Sequence, residues 1–176
     1  MSILVIDTET TGLSPAIDRI VSLSYIIFNS DGEETQRVSN IIRTDFHIGN
    51  SDFHGITDKI SHDIGIPIIV ALADLSDKID TETTTIVAHN WAFDRGMLVA
   101  EAMRLGAQDL INKLLRAKSY CTMVNGSACI GGYRKWIKLT KLHELLFGEP
   151  TTHSHESLAD AYYCSRCYFK LIAKSS

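Results

Sequence analysis

Ile3-Leu4-Val5-Ile6-Asp7-Thr8-Glu9-Thr10-Thr11-Gly12-Leu13 joins an apolar run to two carboxylates and a Thr/Gly turn. Four consecutive large aliphatic residues read as a buried strand, here over residues 2–7. Strand side chains alternate faces, so Asp7 and Glu9 lie side by side on one face. Adjacent carboxylates repel and raise each other's pKa unless a cation sits between them. An oxygen-rich pair of this kind suits a hard divalent ion such as Mg2+ or Mn2+. The competing reading is a solvated strand end leading into a turn.

Outward from this stretch, residues 18–29 and 35–43 read as two further strands. The turn signal Asn29-Ser30-Asp31-Gly32 lies between them, giving a meander with short hairpins. Pro67 stands where a helix can begin, and Ile69, Leu72, Ala73, Leu75 and Ile79 have helical spacing over 68–79. Residues 84–88 read as a short buried strand. Asn90 is the expected N-cap of a helix running to about residue 105, ended by Gly106. A short helix over 109–116 and a last strand over 119–123 follow. Helices over 139–147, stopped by Gly148 and Pro150, and over 156–172 complete the chain. Three strands followed by alternating helices and strands predict an α/β fold, a mixed sheet with helices packed on its faces.

The chain has 176 residues, no linker and no internal repeat, so a single domain over 1–176 is expected. No apolar run approaches the roughly 18–20 residues a bilayer requires, which predicts no membrane partner. The N-terminus enters a strand directly, without a basic region or cleavage signal. The expectation is an intracellular protein, cytoplasmic by default. In that setting the four cysteines do not predict disulfides. Cys164 and Cys167, three apart in a helical run, read as core residues rather than zinc ligands. The net charge of −4 hides an asymmetry. Residues 1–94 carry 15 acidic against 5 basic side chains, and residues 95–141 carry 2 against 9. An acidic segment can hold metal and a basic one can meet phosphate, although both also suit solvated faces. Mild overall acidity argues against a protein that coats nucleic acid, and not against an enzyme that grips a few phosphates.

Two further motifs add to the opening pair. His89-Asn90-Trp91-Ala92-Phe93-Asp94 follows the short strand and places Asp94 in a first helical turn. There a carboxylate also simply complements the helix dipole. His155-Glu156-Ser157-Leu158-Ala159-Asp160 stands at the entrance of the last helix. Asp7, Glu9, Asp94 and Asp160 thus all lie at element ends, where distant segments converge, and His155 joins them. Two-metal phosphodiester hydrolysis needs this set: two ions about 3.5–4 Å apart, one to activate water and one to stabilise the leaving oxygen. A histidine with a pKa of about 6.5 can take the water's proton near neutral pH.

With Phe53-His54-Gly55-Ile56-Thr57 between them, these motifs in this order resemble the DnaQ-like exonucleases of the DEDDh type. That group includes the proofreading subunit of bacterial DNA polymerase III. The likeness runs from Ile3 to about Leu171. The tyrosine branch of the superfamily would place Tyr where this chain has Glu156, so the histidine branch is the better match. The resemblance implies a ribonuclease H-like mixed β-sheet, its first three strands antiparallel, flanked by helices. It implies that Asp7, Glu9 and Asp160 hold one divalent ion, that Asp7 and Asp94 reach a second, and that His155 is the general base. Thr10, Thr11, Gly12 and Leu13 would receive the terminal nucleotide, with Leu13 against its base. Asn90 and Phe93 would line the same cleft, and His54 would contact the terminal sugar or serve as a turn histidine.

The implied activity is a metal-dependent 3′-to-5′ exonuclease acting on single-stranded or frayed DNA ends, in proofreading or repair. Trimming of RNA 3′ ends is the alternative, since spacing does not resolve a fit to the 2′ hydroxyl. From another class, a non-catalytic nucleic-acid- or polymerase-binding module would have lost a carboxylate or His155, and none is lost. The partners implied are 3′ ends of single-stranded DNA or RNA and, for a proofreading subunit, a DNA polymerase; oligomeric state is left open. The stretch from Tyr133 to Lys141 interleaves basic and aromatic residues. Arg134, Lys135 and Lys138 are candidate phosphate contacts guiding the strand. The competing reading is a solvated loop with Trp136 tucked into the core.

Overall fold

The structure is a computed structural model, and it describes residues 1–130, 136–152 and 156–175. Strands β1 (Ser2–Thr10), β2 (Ile20–Phe28) and β3 (Glu34–Ile41) form the antiparallel meander the sequence predicts. The β2–β3 turn is closed by the Asn29 side chain, whose Oδ1 accepts from the N–H groups of Asp31 and Glu33. Gly32 takes the left-handed conformation there, φ 81°. Helices α1 (Ser51–His54), α2 (Asp58–Ile64) and α3 (Ile68–Lys78) lead to β4 (Thr84–Ala88). Helices α4 (Trp91–Arg104) and α5 (Gln108–Arg116) then precede β5 (Lys118–Cys121). The chain continues through α6 (Thr122–Ile130), α7 (Leu139–Phe147) and α8 (Ser157–Ser175). The sheet order is β3-β2-β1-β4-β5, with β4 parallel to β1 and β5 parallel to β4. This is the mixed, helix-flanked α/β sheet expected.

β1 sits at the centre and sorts its side chains by parity. Leu4 and Ile6 pack into one core with Leu72 and Leu75 of α3, Met97 and Leu98 of α4 and Leu110 of α5. Ile3 and Val5 pack into a second core with Ala161, Cys164 and Tyr168 of α8. Each fully buried aliphatic side chain contributes about 1.5–3 kcal/mol, so both faces are anchored. Asp7 and Glu9 continue the odd-numbered face toward α8, and Thr8 the even-numbered face toward α4. Cys164 and Cys167 are free and buried, as read; burial pushes the Cys167 thiol up to about 12.

Several local features depart from the sequence reading, among them the unpredicted short helix α1. β1 runs on to Thr10, with a register irregularity between Glu9 and Thr10, so both carboxylates belong to the strand itself. Asn90 caps α4 only through its backbone: its carbonyl accepts from the N–H groups of Phe93 and Asp94, and its side chain makes no cap bond. α2 has only Ile60 and Ile64 as apolar residues, too few for a periodic signal, and is marked instead by Thr57, whose side chain accepts from the Ile60 N–H. β5 ends at Cys121, where a strand to 123 was expected, and α6 follows at once. Val124, Gly126, Ser127 and Cys129 are poor helix formers, and packing on the rest of the fold supplies what propensity lacks. A Cβ on Gly126 would lie 2.7 Å from the Leu142 methyl groups, so a larger residue there would make Leu142 shift at the α6–α7 contact. No described helix is long and apolar enough to cross a membrane.

Candidate active site

β1 and β4 run parallel, and ligand sites in such sheets form beyond the carboxyl ends of the strands. A cleft of about 750 Å³ opens there. Asp7, Glu9, Asp94 and Asp160 all line it. Thr10, Thr11, Gly12 and Leu13 form one rim, and Asn90 and Phe93 another. Ten positions singled out above are therefore brought to one place, together with Thr8, Asn50, Phe53, His89 and Leu139.

Asp7, Glu9 and Asp160 each offer an oxygen, and these atoms lie within 4.8 Å of one another. Among the described residues this is the one cluster of His, Cys, Asp or Glu side chains able to share an ion. Its geometry follows from register. Asp7 stands opposite Ser24 and Glu9 opposite Ser22 across β1 and β2, all four facing α8. The Ser157 hydroxyl in the first turn of α8 lies 2.7 Å from both the Ser22 and the Ser24 hydroxyls. Asp160 is three residues further, on the same helical face. The serine cluster thus sets α8 on the sheet in the register that brings Asp160 to Asp7 and Glu9.

The electrostatics fit a cation. Burial, then the charges of Asp94, Asp160 and Glu9, hold the Asp7 carboxyl well above its usual range. Burial and the charges of Asp160 and Asp94 push Glu9 from 4.5 up to about 7. Burial also raises Asp94, against the Thr8 hydroxyl that donates to its Oδ1 at 2.9 Å. These are carboxylates short of positive charge. An all-oxygen donor set of this kind suits a hard divalent ion.

The rim beyond Glu9 is tied down by its own side chains. The Thr10 hydroxyl donates to the Gly12 carbonyl at 2.7 Å. The Thr11 hydroxyl and the Ser14 N–H donate to the two Asp18 oxygens at 3.0 and 2.8 Å. A Cβ on Gly12 would lie 2.6 Å from that carboxylate, so the close approach requires glycine. Arg19, at the far end of this loop, forks onto Glu101 of α4 at 2.7 and 3.1 Å, and Glu101 is 1% exposed. Leu13, 83% exposed at the tip, and Phe53 present bare apolar surface to the cleft.

The histidines divide by their hydrogen bonds. His54 lies in a smaller cavity of about 240 Å³ that also touches Glu9, not in the main cleft. Its Nδ1 accepts from the Ile56 N–H at 3.1 Å, so Nε2 carries the proton and donates to Asn50 Oδ1 at 3.1 Å. The Asn50 amide in turn donates to the Thr10 carbonyl at 2.8 Å. His54 therefore reaches the rim through Asn50. His89 lines the cleft, but its Nε2 donates to the Ile137 carbonyl at 2.9 Å and its Nδ1 accepts from the Thr122 hydroxyl at 2.9 Å. Burial pushes His89 down to about 4. His155, Arg134 and Lys135 lie outside the described residues. Lys138 is exposed just ahead of α7, and Trp136 is 65% exposed rather than tucked into the core; Ile137, 1% exposed, takes the core position.

Asn50, Phe53, His89, Asp18 and the three serines were not singled out by sequence. Phe53, His89 and Ser157 stood inside quoted motifs without a role of their own. The serine cluster left no signal, because three isolated serines reveal nothing until register pairs them.

The model of the RNase T exonuclease family matches residues 4–168. Among solved structures, Escherichia coli exonuclease I in complex with a dA16 oligonucleotide superposes with a TM-score of 0.80 at 18% identity, over 98% of this chain and 41% of that one. The zinc-bound form of the E. coli exonuclease I–single-stranded DNA complex gives 0.82 at 19%, over 98% and 40%. Product-bound exonuclease I gives 0.79 at 17%, over 98% and 43%. The chain thus spans about two fifths of the length of those proteins, and at such identity the likeness is one of fold. No curated protein matches it in sequence.

Proposed function

Since the chain belongs to the RNase T exonuclease family, we propose that it is a metal-dependent 3′-to-5′ exonuclease releasing nucleoside monophosphates from single-stranded or frayed DNA ends, in proofreading or repair. The observation that carries this is the convergence of the Asp7, Glu9 and Asp160 oxygens within 4.8 Å at the floor of the cleft. Asp7, Glu9 and Asp160 would hold one divalent ion and Asp7 with Asp94 a second. Bound there, the ions would supply a nucleophile at neutral pH and charge neutralisation at the scissile phosphate.

The chain's own residues would orient the strand. The backbone from Thr10 to Gly12, fixed by Asn50 and Asp18, receives the terminal nucleotide, and Leu13 packs on its base. Asn90 and Phe93 close the opposite side. The general base of this reading is His155. His89, the histidine described in the cleft, is excluded from that role, because both ring nitrogens are engaged and its pKa of about 4 leaves little basicity. Arg134, Lys135 and Lys138 would guide the phosphate backbone. DNA is favoured over RNA because the structural neighbours include complexes with DNA oligonucleotides. The likeness to proofreading subunits adds a DNA polymerase to the proposed partners.

The test is product analysis by mass spectrometry after incubating matched DNA and RNA oligonucleotides with Mg2+ or Mn2+. Nucleoside 5′-monophosphates appearing from the 3′ end, faster from DNA, are expected. Faster release from RNA reverses the substrate assignment, and internal fragments refute the exonucleolytic reading.

A further inference from the structure

The fold treats the chain's two tryptophans oppositely. Trp91, at the start of α4, is 6% exposed in the core; Trp136 is 65% exposed. The backbone beside Trp136 is nonetheless fixed. The Ile137 side chain is buried, its N–H donates to the Ser127 hydroxyl at 3.2 Å and its carbonyl accepts from His89 Nε2 at 2.9 Å. His89 lines the candidate active-site cleft, and so does Leu139, three residues beyond Trp136. An indole in water is thus attached, through an anchored neighbour, to the wall of the cleft. Its charge setting is the reverse of the cleft floor, with Lys138 exposed two residues on. Surfaces that track a single strand combine cations for the backbone with aromatic faces on which bases stack, and such stacking tolerates every base.

We propose that Trp136 is a stacking post for a nucleobase of the strand whose 3′ end lies in the cleft, upstream of the terminal nucleotide. The inference rests on the exonuclease reading above and adds a binding position to it. Trp136 touches no reacting atom; it sets affinity for strands long enough to reach it.

Tryptophan emission reads this directly. The wild-type chain is titrated with dT16 carrying phosphorothioate linkages at its 3′ end, so that the strand stays intact. Emission and its access to acrylamide should both fall on binding, and in Trp136→Phe the remaining buried Trp91 should report no change. Trp136→Ala should raise KM for ordinary dT16 by between about fivefold and a hundredfold. Its turnover of the p-nitrophenyl ester of thymidine 5′-monophosphate, which carries no upstream base, should stay as in wild type. A wild-type chain that binds and cleaves dT16 with Trp136 emission, acrylamide access and KM all insensitive to strand or substitution overturns the stacking post alone. A chain that neither binds nor cleaves overturns the exonuclease reading, and the post with it.

Discussion

Glu9→Gln should make the metal-free protein more stable at pH 8, although it removes a proposed metal ligand. In the fold the Glu9 carboxyl titrates at about 7 against 4.5 in an open chain. At about 1.4 kcal/mol per pH unit this difference corresponds to about 3 kcal/mol. The sign follows from proton counting. Between 4.5 and 7 the folded state keeps a proton that the unfolded state has lost, so stability falls as pH rises through this window. The full cost of an ionised Glu9 is present above pH 7 and absent below 4.5. Glutamine is isosteric and cannot ionise, so it escapes that cost. A 1 kcal/mol change moves the Tm of a chain this size by roughly 2–4 °C, so the variant should melt roughly 6–12 °C higher at pH 8 in EDTA. At pH 4.5 the two should melt together. Saturating Mg2+ should raise the wild-type Tm and do much less for the variant. Thermal unfolding by circular dichroism measures all three. A variant that melts at or below wild type at pH 8 in EDTA refutes the view that burial, with repulsion from Asp160 and Asp94, penalises an ionised Glu9 in the metal-free protein.

Three further outcomes follow from the supporting residues. Ser157→Ala removes the hydroxyl shared by Ser22 and Ser24 and should weaken Mg2+ binding by roughly 10–100-fold, as loss of outer support typically does, seen as a shifted metal dependence of activity with little change at saturating metal. Asn50→Ala cuts the link from His54 to the Thr10 carbonyl and should raise KM several-fold, about 1 kcal/mol, with kcat nearly kept, in steady-state kinetics on short oligonucleotides. Arg19→Ala strands the buried Glu101 carboxylate and should cost about 2–3 kcal/mol in denaturant unfolding. That is less than for a fully buried pair, because Arg104 and the Ile20 N–H still hold Glu101.

What the sequence discloses here is what repeats locally. The unbroken apolar run from Ile3 to Ile6 predicts a buried strand, and a strand's period of two then puts Asp7 and Glu9 on one face. The meander, β4 and the helices α3, α4, α5, α7 and α8 are legible from apolar spacing and from Gly and Pro at their ends. α1, α2 and α6 are not: α1 is a single turn, α2 has too few apolar residues and α6 too few helix formers. At the site, the four carboxylates were legible as motifs. The parts that hold them were not: Ser157 meets Ser22 across 135 positions, and Asn50 meets Thr10 across 40. Trp136 shows the same limit. Its neighbours suggest nucleic acid or core equally, and the burial of Ile137 in its place removes the core reading.

The most direct test of the account is a 5′-labelled single strand of DNA incubated with Mg2+ or Mn2+, alongside Asp7→Ala. The account predicts a ladder that shortens from the 3′ end with either metal, absent in EDTA and absent in the variant. Unshortened strand under both metals, or an equal ladder from Asp7→Ala, would contradict it.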